Sequence, residues 1–269
     1  MAQRDEMFTR IRGLVSRTPR TYAEKSLNGN DQPSAPQVPD ETDPVLSWSS
    51  FLQSQNVPHV FWLEHVLVAY GSDTQVWELT LLVEEPTAAS EILCEAGCQL
   101  CSHSNRFDSD AEFAGKGISM TLPGYEHPVT LYRATDWHFN LEKHRYGLPK
   151  LNEFLESLMD LWLNISSQDY VERLPFALHI ASLITYCYRL QDPEHGPVNS
   201  INYASCLRKE YRELHLEIVA ADRAKNFAST SRHLYHARRY WEIKNGDWNP
   251  PETQPKNYQL QLSILEEDS

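Results

Sequence analysis

The chain is short of cations, of glycine, of pairable cysteines and of long apolar runs, and each shortage removes a class of protein. Across 269 residues, 24 Lys+Arg face 37 Asp+Glu, a formal charge of −13. That balance repels polyanions at long range, so contact with phosphates requires a local basic surface, and DNA is not an expected partner. The longest mostly apolar stretch, Ala177 to Tyr188, is interrupted by His179, Ser182 and Thr185. It falls short of the roughly 18 apolar residues that a bilayer span needs, so no membrane contact is expected. The 10 Gly exclude collagen-like repeats, and 5 Cys, an odd number, do not make a disulfide framework. The opening MAQRDEMF carries no apolar signal-peptide core, so a reducing cytoplasm is the expected compartment. A second address is faintly written in Met7, Ile11, Leu14 and Val15, which share a helical face among Arg4, Arg10, Arg12, Arg17 and Arg20, as in transit peptides. Asp5 and Glu6 count against it. No G-x-S-x-G, Walker P-loop, G-x-G-x-x-G, H-E-x-x-H or EF-hand loop occurs, which leaves the common hydrolase, kinase and dehydrogenase readings unsupported.

What is present suffices for a globular core: 41% apolar residues, with 7 Trp, 13 Tyr and 9 Phe. Residues 1–45 read as a flexible segment and linker, because 26–45 hold Pro33, Pro36, Pro39 and Pro44 and few large apolar side chains. Residues 46–146 read as an α/β domain. Within it, Val57 to Gly71 has helical spacing at Phe61, His65 and Val68, and QVWELTLLVEE reads as a buried strand that Pro86 stops. TAASEILCEAG then reads as a short helix closing at Gly97, and GISMTLPG and HPVTLYRAT as two strands around the Pro123-Gly124 turn. Residues 147–245 read as helical, with Leu151, Phe154, Leu155, Leu158, Met159 and Trp162 marking the first amphipathic helix. Three more helices are expected at about 174–190, 203–226 and 229–244, and residues 246–269 form a loose acidic tail in which YQLQLSIL alternates like an edge strand. The fold class is therefore α+β (α/β), a small mixed sheet followed by a C-terminal helical bundle.

Four groups of residues could carry chemistry. Tyr70-Gly71-Ser72 and the strand bearing Glu78, Thr80 and Glu84 resemble the nucleotidyltransferase fold, in which a Gly-Ser turn admits a triphosphate and alternating carboxylates on the next strand hold Mg²⁺. Here Thr80 stands at the second carboxylate position, so the resemblance implies a nucleotide site with a degraded metal set, and the plainer reading makes Glu78 a surface residue and Gly71 a helix cap. Cys94, Cys98 and Cys101 have the spacing of an iron–sulfur triad and, with His103, of a zinc set, although buried free cysteines are the common alternative; no metal or other cofactor is expected. Arg208, Arg212, His215 and Asp222, with Arg232, His236 and Arg239 on the next helix, recur at helical spacing as a cationic stripe on an acidic protein, which is what gripping phosphates requires. Pairing with Glu210, Glu213 and Glu217 is the plainer reading of that stripe. Asp169 and Glu172, three apart near a helix start, are candidate acid–base groups, although the helix dipole alone favours acids there.

Taken together, VFWLEHVLVAYG, VWELTLLV, ASEILCEAG and Glu210-Tyr211-Arg212-Glu213-Leu214-His215-Leu216-Glu217 resemble a family of filamentous-fungal proteins, over roughly residues 55 to 244. The resemblance extends to the arginine-containing cyclodipeptide synthases, which close a diketopiperazine from aminoacyl-tRNAs. Their Asp-Asp-x-x-Glu motif has its nearest match in Gln168-Asp169-x-x-Glu172, with the first acid replaced. What the resemblance implies is a cytoplasmic transferase of fungal secondary metabolism. Asp169, Glu172 and His215 would act on the reacting groups, and Arg208, Arg212, Arg232, His236 and Arg239, with Ser72 and Glu78, would hold the substrate. The alternative from another class is a degenerate nucleotidyltransferase-fold protein that binds nucleotide without turnover, or an active one using Glu78.

Overall fold

The computed structural model describes residues 44–72, 74–101, 117–165, 170–187, 191–192, 196–197, 202–220 and 230–249. Its first helix, α1 (Pro44–Ser54), begins in the last two residues of the expected linker and runs into the expected α/β domain. Val45, Trp48 and Leu52 recur three and four residues apart and are all buried, and the Trp48 indole donates to the Pro123 carbonyl at 3.3 Å.

The stretch expected as one helix from Val57 to Gly71 is instead a strand and a short helix, β1 (His59–Trp62) and α2 (Glu64–Ala69). An apolar run of this length is ambiguous between the two states, and sheet pairing on both sides satisfies the β1 backbone. Leu63, at φ 51°, turns the chain between them. The strand β2 (Leu79–Val83) is buried throughout, and α3 (Pro86–Glu95) ends before Gly97, whose φ of 94° is open to glycine without strain. Then come β3 (Gln99–Leu100), β4 (Ile118–Thr121), β5 (Val129–Arg133), a 3-10 turn at Ala134–Trp137, and β6 (Tyr146–Gly147).

These strands form one mixed sheet in the order β3-β4-β5-β2-β1-β6. β2 runs parallel to β5 with Thr80 opposite Thr130, and β1 parallel to β6; the other pairings are antiparallel. The pairing gives the sheet two distinct ends. At one lie the carboxyl ends of β2 and β5 with the amino ends of β1 and β6; at the other lie Ser72, Glu78 and α2.

The chain continues as α4 (Leu151–Asn164), α5 (Tyr170–Tyr186), a ribbon of β7 (Gln191–Asp192) and β8 (Gly196–Pro197), a 3-10 turn at Asn202–Cys206, α6 (Lys209–Ala220) and α7 (Thr230–Lys244). The third expected helix thus starts as a 3-10 turn and becomes α-helical only at Lys209. The described architecture is α+β, with a six-stranded mixed sheet and seven α-helices. None of the described helices is long and apolar enough to cross a membrane.

One buried cluster runs from Val45 to Tyr240 and crosses residue 147, where the helical half was expected to begin. Trp62 meets Trp137, Phe139 and Phe154 edge-on at 6.0, 5.0 and 4.8 Å, and Trp137 lies 5.8 Å from Phe176. Burying one such ring removes roughly 200 Å² from water, worth about 5 kcal/mol at about 25 cal/mol per Å², so this cluster outweighs any single ion pair on the surface. It also fixes what surrounds Trp137.

Candidate functional site

A half-open cleft of about 670 Å³ lies at the end of the sheet that carries the carboxyl termini of the parallel strands. Pro58 leads into β1, Glu84 follows β2, Ala134 and Thr135 follow β5, and His138 to Glu142 with Arg145 complete the wall before β6. Carboxyl ends of parallel strands are where open α/β sheets place their ligands, because the chains diverge there and leave a crevice. The volume falls within the range of small-molecule sites.

His138 is the reactive side chain of this wall, and its position is built from below. It sits in the left-handed region at φ 53° and ψ 29°, just after the 3-10 turn. That conformation costs an ordinary residue about 1–2 kcal/mol, though histidine enters it more readily than most. Three contacts hold it. The His138 and Phe139 amides donate back to the carbonyls of Thr135 and Ala134 at 3.0 Å, and the Ser157 hydroxyl of α4 donates to the Trp137 carbonyl. The Trp137 side chain is fully buried, so the turn cannot swing.

The imidazole Nδ1 meets Oδ2 of Asp160 on α4. An ionised carboxylate only accepts, so Nδ1 carries a proton, and in the neutral ring it is Nε2 that presents its lone pair. The other carboxylate oxygen, Oδ1, accepts from the hydroxyls of Tyr211 on α6, at 2.6 Å, and Tyr240 on α7. Burial on its own would raise the Asp160 carboxyl, but the hydrogen bonds from His138, Tyr211 and Tyr240 prevail and hold it below the usual carboxylate range. Burial and the bond to Asp160 push both phenols up, so they remain donors. Arg208 Nη2 donates to the Tyr211 hydroxyl at 2.7 Å, and Lys244 Nζ to that of Tyr240 at 2.6 Å. A half-exposed imidazole is thereby backed by a buried anion that three helices hold in place. Such a pair can take a proton at Nε2 and stabilise the resulting imidazolium.

The remaining cleft wall is also pinned. His144 pairs with Glu153 of α4 at 2.6 Å, the Glu142 amide donates to Asn140 Oδ1 at 2.8 Å, and the Arg145 carbonyl accepts from the His59 amide at 2.8 Å. Glu153, Glu156, Ser157, Asp160 and Asn164 form a polar stripe along α4 at helical spacing. That stripe is the signal in the sequence that pointed to the site, and attention to the apolar face of the same helix passed over it.

The residues singled out from sequence lie elsewhere. Ser72, after α2, and Glu78, before β2, both lie at the opposite end of β2, about a strand's length from the cleft, and both are buried. Glu78 accepts a long 3.5 Å bond from Thr80, and the neighbouring positions across the sheet are hydroxyls, Thr130 and Ser119, 3.2 Å apart. A buried 3.5 Å pair between Glu64 on α2 and His179 on α5 covers that end. Glu78 is therefore not the surface residue of the plainer reading.

The described members of the cationic stripe are engaged by their own neighbours. Arg208 is held by Glu156 at 3.0 Å and faces Glu210 at 3.7 Å, Arg212 donates to the carbonyls of Leu207 and Ser205, and Arg239 joins Glu242 at 2.7 Å and Glu213 at 3.5 Å while stacking on Trp248. His236 is buried against Glu217 at 3.0 Å. His215 lies in the core, its pKa pushed down to about 3 by burial, so a substrate has no path to it. Acids and bases alternate along α6, and Arg208, Arg238 and Arg239 are each paired with a neighbouring carboxylate. Asp169 lies outside the described residues; Glu172 falls in α5 and Arg232 in α7, and their side chains lie outside them.

Cys98 is buried and its thiol is pushed up to about 12, chiefly by burial. Its neighbours Cys94 and Cys101 are exposed and half-buried, and His103 lies outside the described residues. Among the described residues no three His, Cys, Asp or Glu side chains converge as metal ligands. Comparison with known proteins finds no matching family model, no matching curated protein and no matching solved structure.

Proposed function

We propose that the protein is an enzyme of group transfer that acts on small polar substrates in the cleft, with His138 as the general base. The observation that carries this reading is the His138–Asp160 pair: a left-handed residue locked at the mouth of a cleft, its Nδ1 on a buried carboxylate. In an acyl transfer, an acceptor amine or hydroxyl gives its proton to Nε2 as its lone pair attacks the acyl carbonyl. The imidazolium returns that proton to the leaving group as the tetrahedral intermediate collapses. General-base assistance of this kind supplies typically about 10²–10⁴-fold. Asp160 acts as a positioning residue through His138.

The narrower form of this proposal comes from the sequence resemblance: the acyl donor is an aminoacyl-tRNA and the product an arginine-containing cyclic dipeptide. An activated ester needs neither ATP nor metal, which suits a site built from a base and a cleft. Against the tRNA arm stands the engagement of Arg208, Arg212 and Arg239 by their own neighbours. The test is metabolite profiling of a bacterial host that expresses the chain. A small-molecule product is expected with the wild type and is expected to be lost or reduced at least 100-fold with His138→Gln. A cyclic dipeptide containing arginine selects the narrower form. Equal product from both proteins, or profiles identical to the empty host, would overturn the base assignment.

A second reading rests on the other end of the sheet. The Gly71-Ser72 turn precedes β2, and Glu78 and Thr80 stand at the two alternating positions where the nucleotidyltransferase resemblance expects acids. With a hydroxyl at the second position and Glu78 as the remaining acid, this reading is nucleotide binding without transfer. Mg-ATP should then raise the melting temperature with no turnover. An unchanged melting temperature across common nucleotides removes this reading.

A further inference from the structure

Resting on the base assignment above, the charges around the cleft name a class of substrate. Glu84 follows β2, Glu142 follows the turn after Phe139, and Arg145 precedes β6; all three line the same cavity as His138. Their backbones are fixed by the sheet, by the Asn140 turn and by the bond between the Arg145 carbonyl and the His59 amide. Arg145 approaches the ring of Tyr146 at 5.9 Å, and among the described residues it forms no ion pair with Glu84 or Glu142. Elsewhere on the surface some arginines do close on an acid, as Arg133 does with Glu85 at 2.9 Å and Arg238 with Glu242 at 2.8 Å. Opposite charges that line one cavity without closing on each other are both available to a ligand, and a single ligand carrying both signs can pair with them together.

We propose that the cleft binds an α-amino acid as a zwitterion, its carboxylate on Arg145 and its ammonium between Glu84 and Glu142. Arginine suits the first role because its planar fork meets a carboxylate with two parallel N–H bonds. The amino group then lies in the same cavity as His138 Nε2, which draws off the proton that an amine must lose before it can attack an acyl carbon. Phe139 and Leu141 supply apolar wall for a side chain.

The test is calorimetric titration of the full chain with each of the twenty proteinogenic L-amino acids, and then with the N-acetyl and carboxamide forms of the tightest binder. At least one amino acid is expected to bind, and both blocked forms are expected to bind at least tenfold more weakly. Arg145→Gln and Glu142→Gln should each weaken binding about tenfold. Because both side chains are exposed, the melting temperature without ligand should not move. Succinate and putrescine, a dianion and a dication, should bind more weakly than the amino acid. No binding by any amino acid, or binding indifferent to blocking and to Arg145→Gln, overturns the proposal. Its failure is distinct from that of the base assignment. If His138→Gln abolishes product while no amino acid binds, only the substrate class falls; if amino acids bind while His138→Gln leaves product unchanged, only the base does.

Discussion

The Asp160 carboxylate gathers hydrogen bonds from three side chains. It is largely buried, yet three donors on three other elements close on its two oxygens. A hydrogen bond to a charged acceptor is worth about 1.5–3 kcal/mol, so Tyr211→Phe and Tyr240→Phe should each lower the free energy of unfolding by about 2 kcal/mol in urea denaturation. Because both phenols share Oδ1, their effects should not add, and the double variant should depart from the sum by at least 0.5 kcal/mol. Strict additivity would mean that the two bonds do not polarise a common acceptor. Asp160→Asn tests the positioning role: it should cut kcat at least tenfold while leaving KM within about threefold, a split that loss of folding alone would not give. Asp160 stands in the polar stripe of α4, but its pairing with His138 could not be read from sequence. His138 and Asp160 are 22 residues apart, and what joins them is one left-handed residue after a 3-10 turn, a conformation with no periodicity to detect.

At the scale of elements, periodicity succeeded where one face of a helix meets the core. α3 and α4 stand within a few residues of where their apolar residues put them, α7 lies at the expected 229–244, and β4 and β5 flank the Pro123-Gly124 turn as expected. It failed where tertiary pairing decides, as at β1, and where composition masked a pattern, as at α1, whose Val45, Trp48 and Leu52 sit beside a proline-rich stretch. Trp48→Ala should therefore cost about 3–5 kcal/mol, the range for removing a buried aromatic side chain, and a loss below 1 kcal/mol would show that α1 is not part of the core. The entry to β4 makes a sharper test. A Cβ on Gly117 would stand 2.5 Å from Cγ2 of Thr130 and 2.8 Å from the Tyr132 ring. Both neighbours are fully buried, and Thr130 is bonded to Ser119, so neither can yield. Gly117→Ala should lower stability by about 1–3 kcal/mol, although alanine usually stabilises where glycine is not required.

At the scale of the whole molecule, sheet order was the least legible feature, because a strand's neighbours are chosen by long-range pairing that no local pattern encodes; β6 joins β1 across more than eighty residues. The same burial sets the response to acid. Burial lowers His65 to about 4, His215 to about 3 and His233 to about 4, and it lowers His59 as well. In the unfolded chain these imidazoles return to about 6.5. Between pH 6.5 and about 4 the unfolded state binds protons that the folded state refuses, so the stability they contribute is whole above pH 6.5 and is lost as pH falls. Asp160, depressed from the usual carboxylate value, adds a loss of the same sign below about pH 4. With His65, His215 and His233 uncharged in the fold, the slope should approach about 4 kcal/mol per pH unit below pH 6. Carried from pH 6.5 to 4, that removes about 9 kcal/mol, a large share of a total stability of about 5–15 kcal/mol. Urea denaturation from pH 7.5 to 5 checks it, and His215→Gln should remove about a third of the slope whatever it does to stability at pH 7.5. A slope that stays below 1 kcal/mol per unit would mean that these imidazoles meet water or an anion in the fold and are not buried neutral.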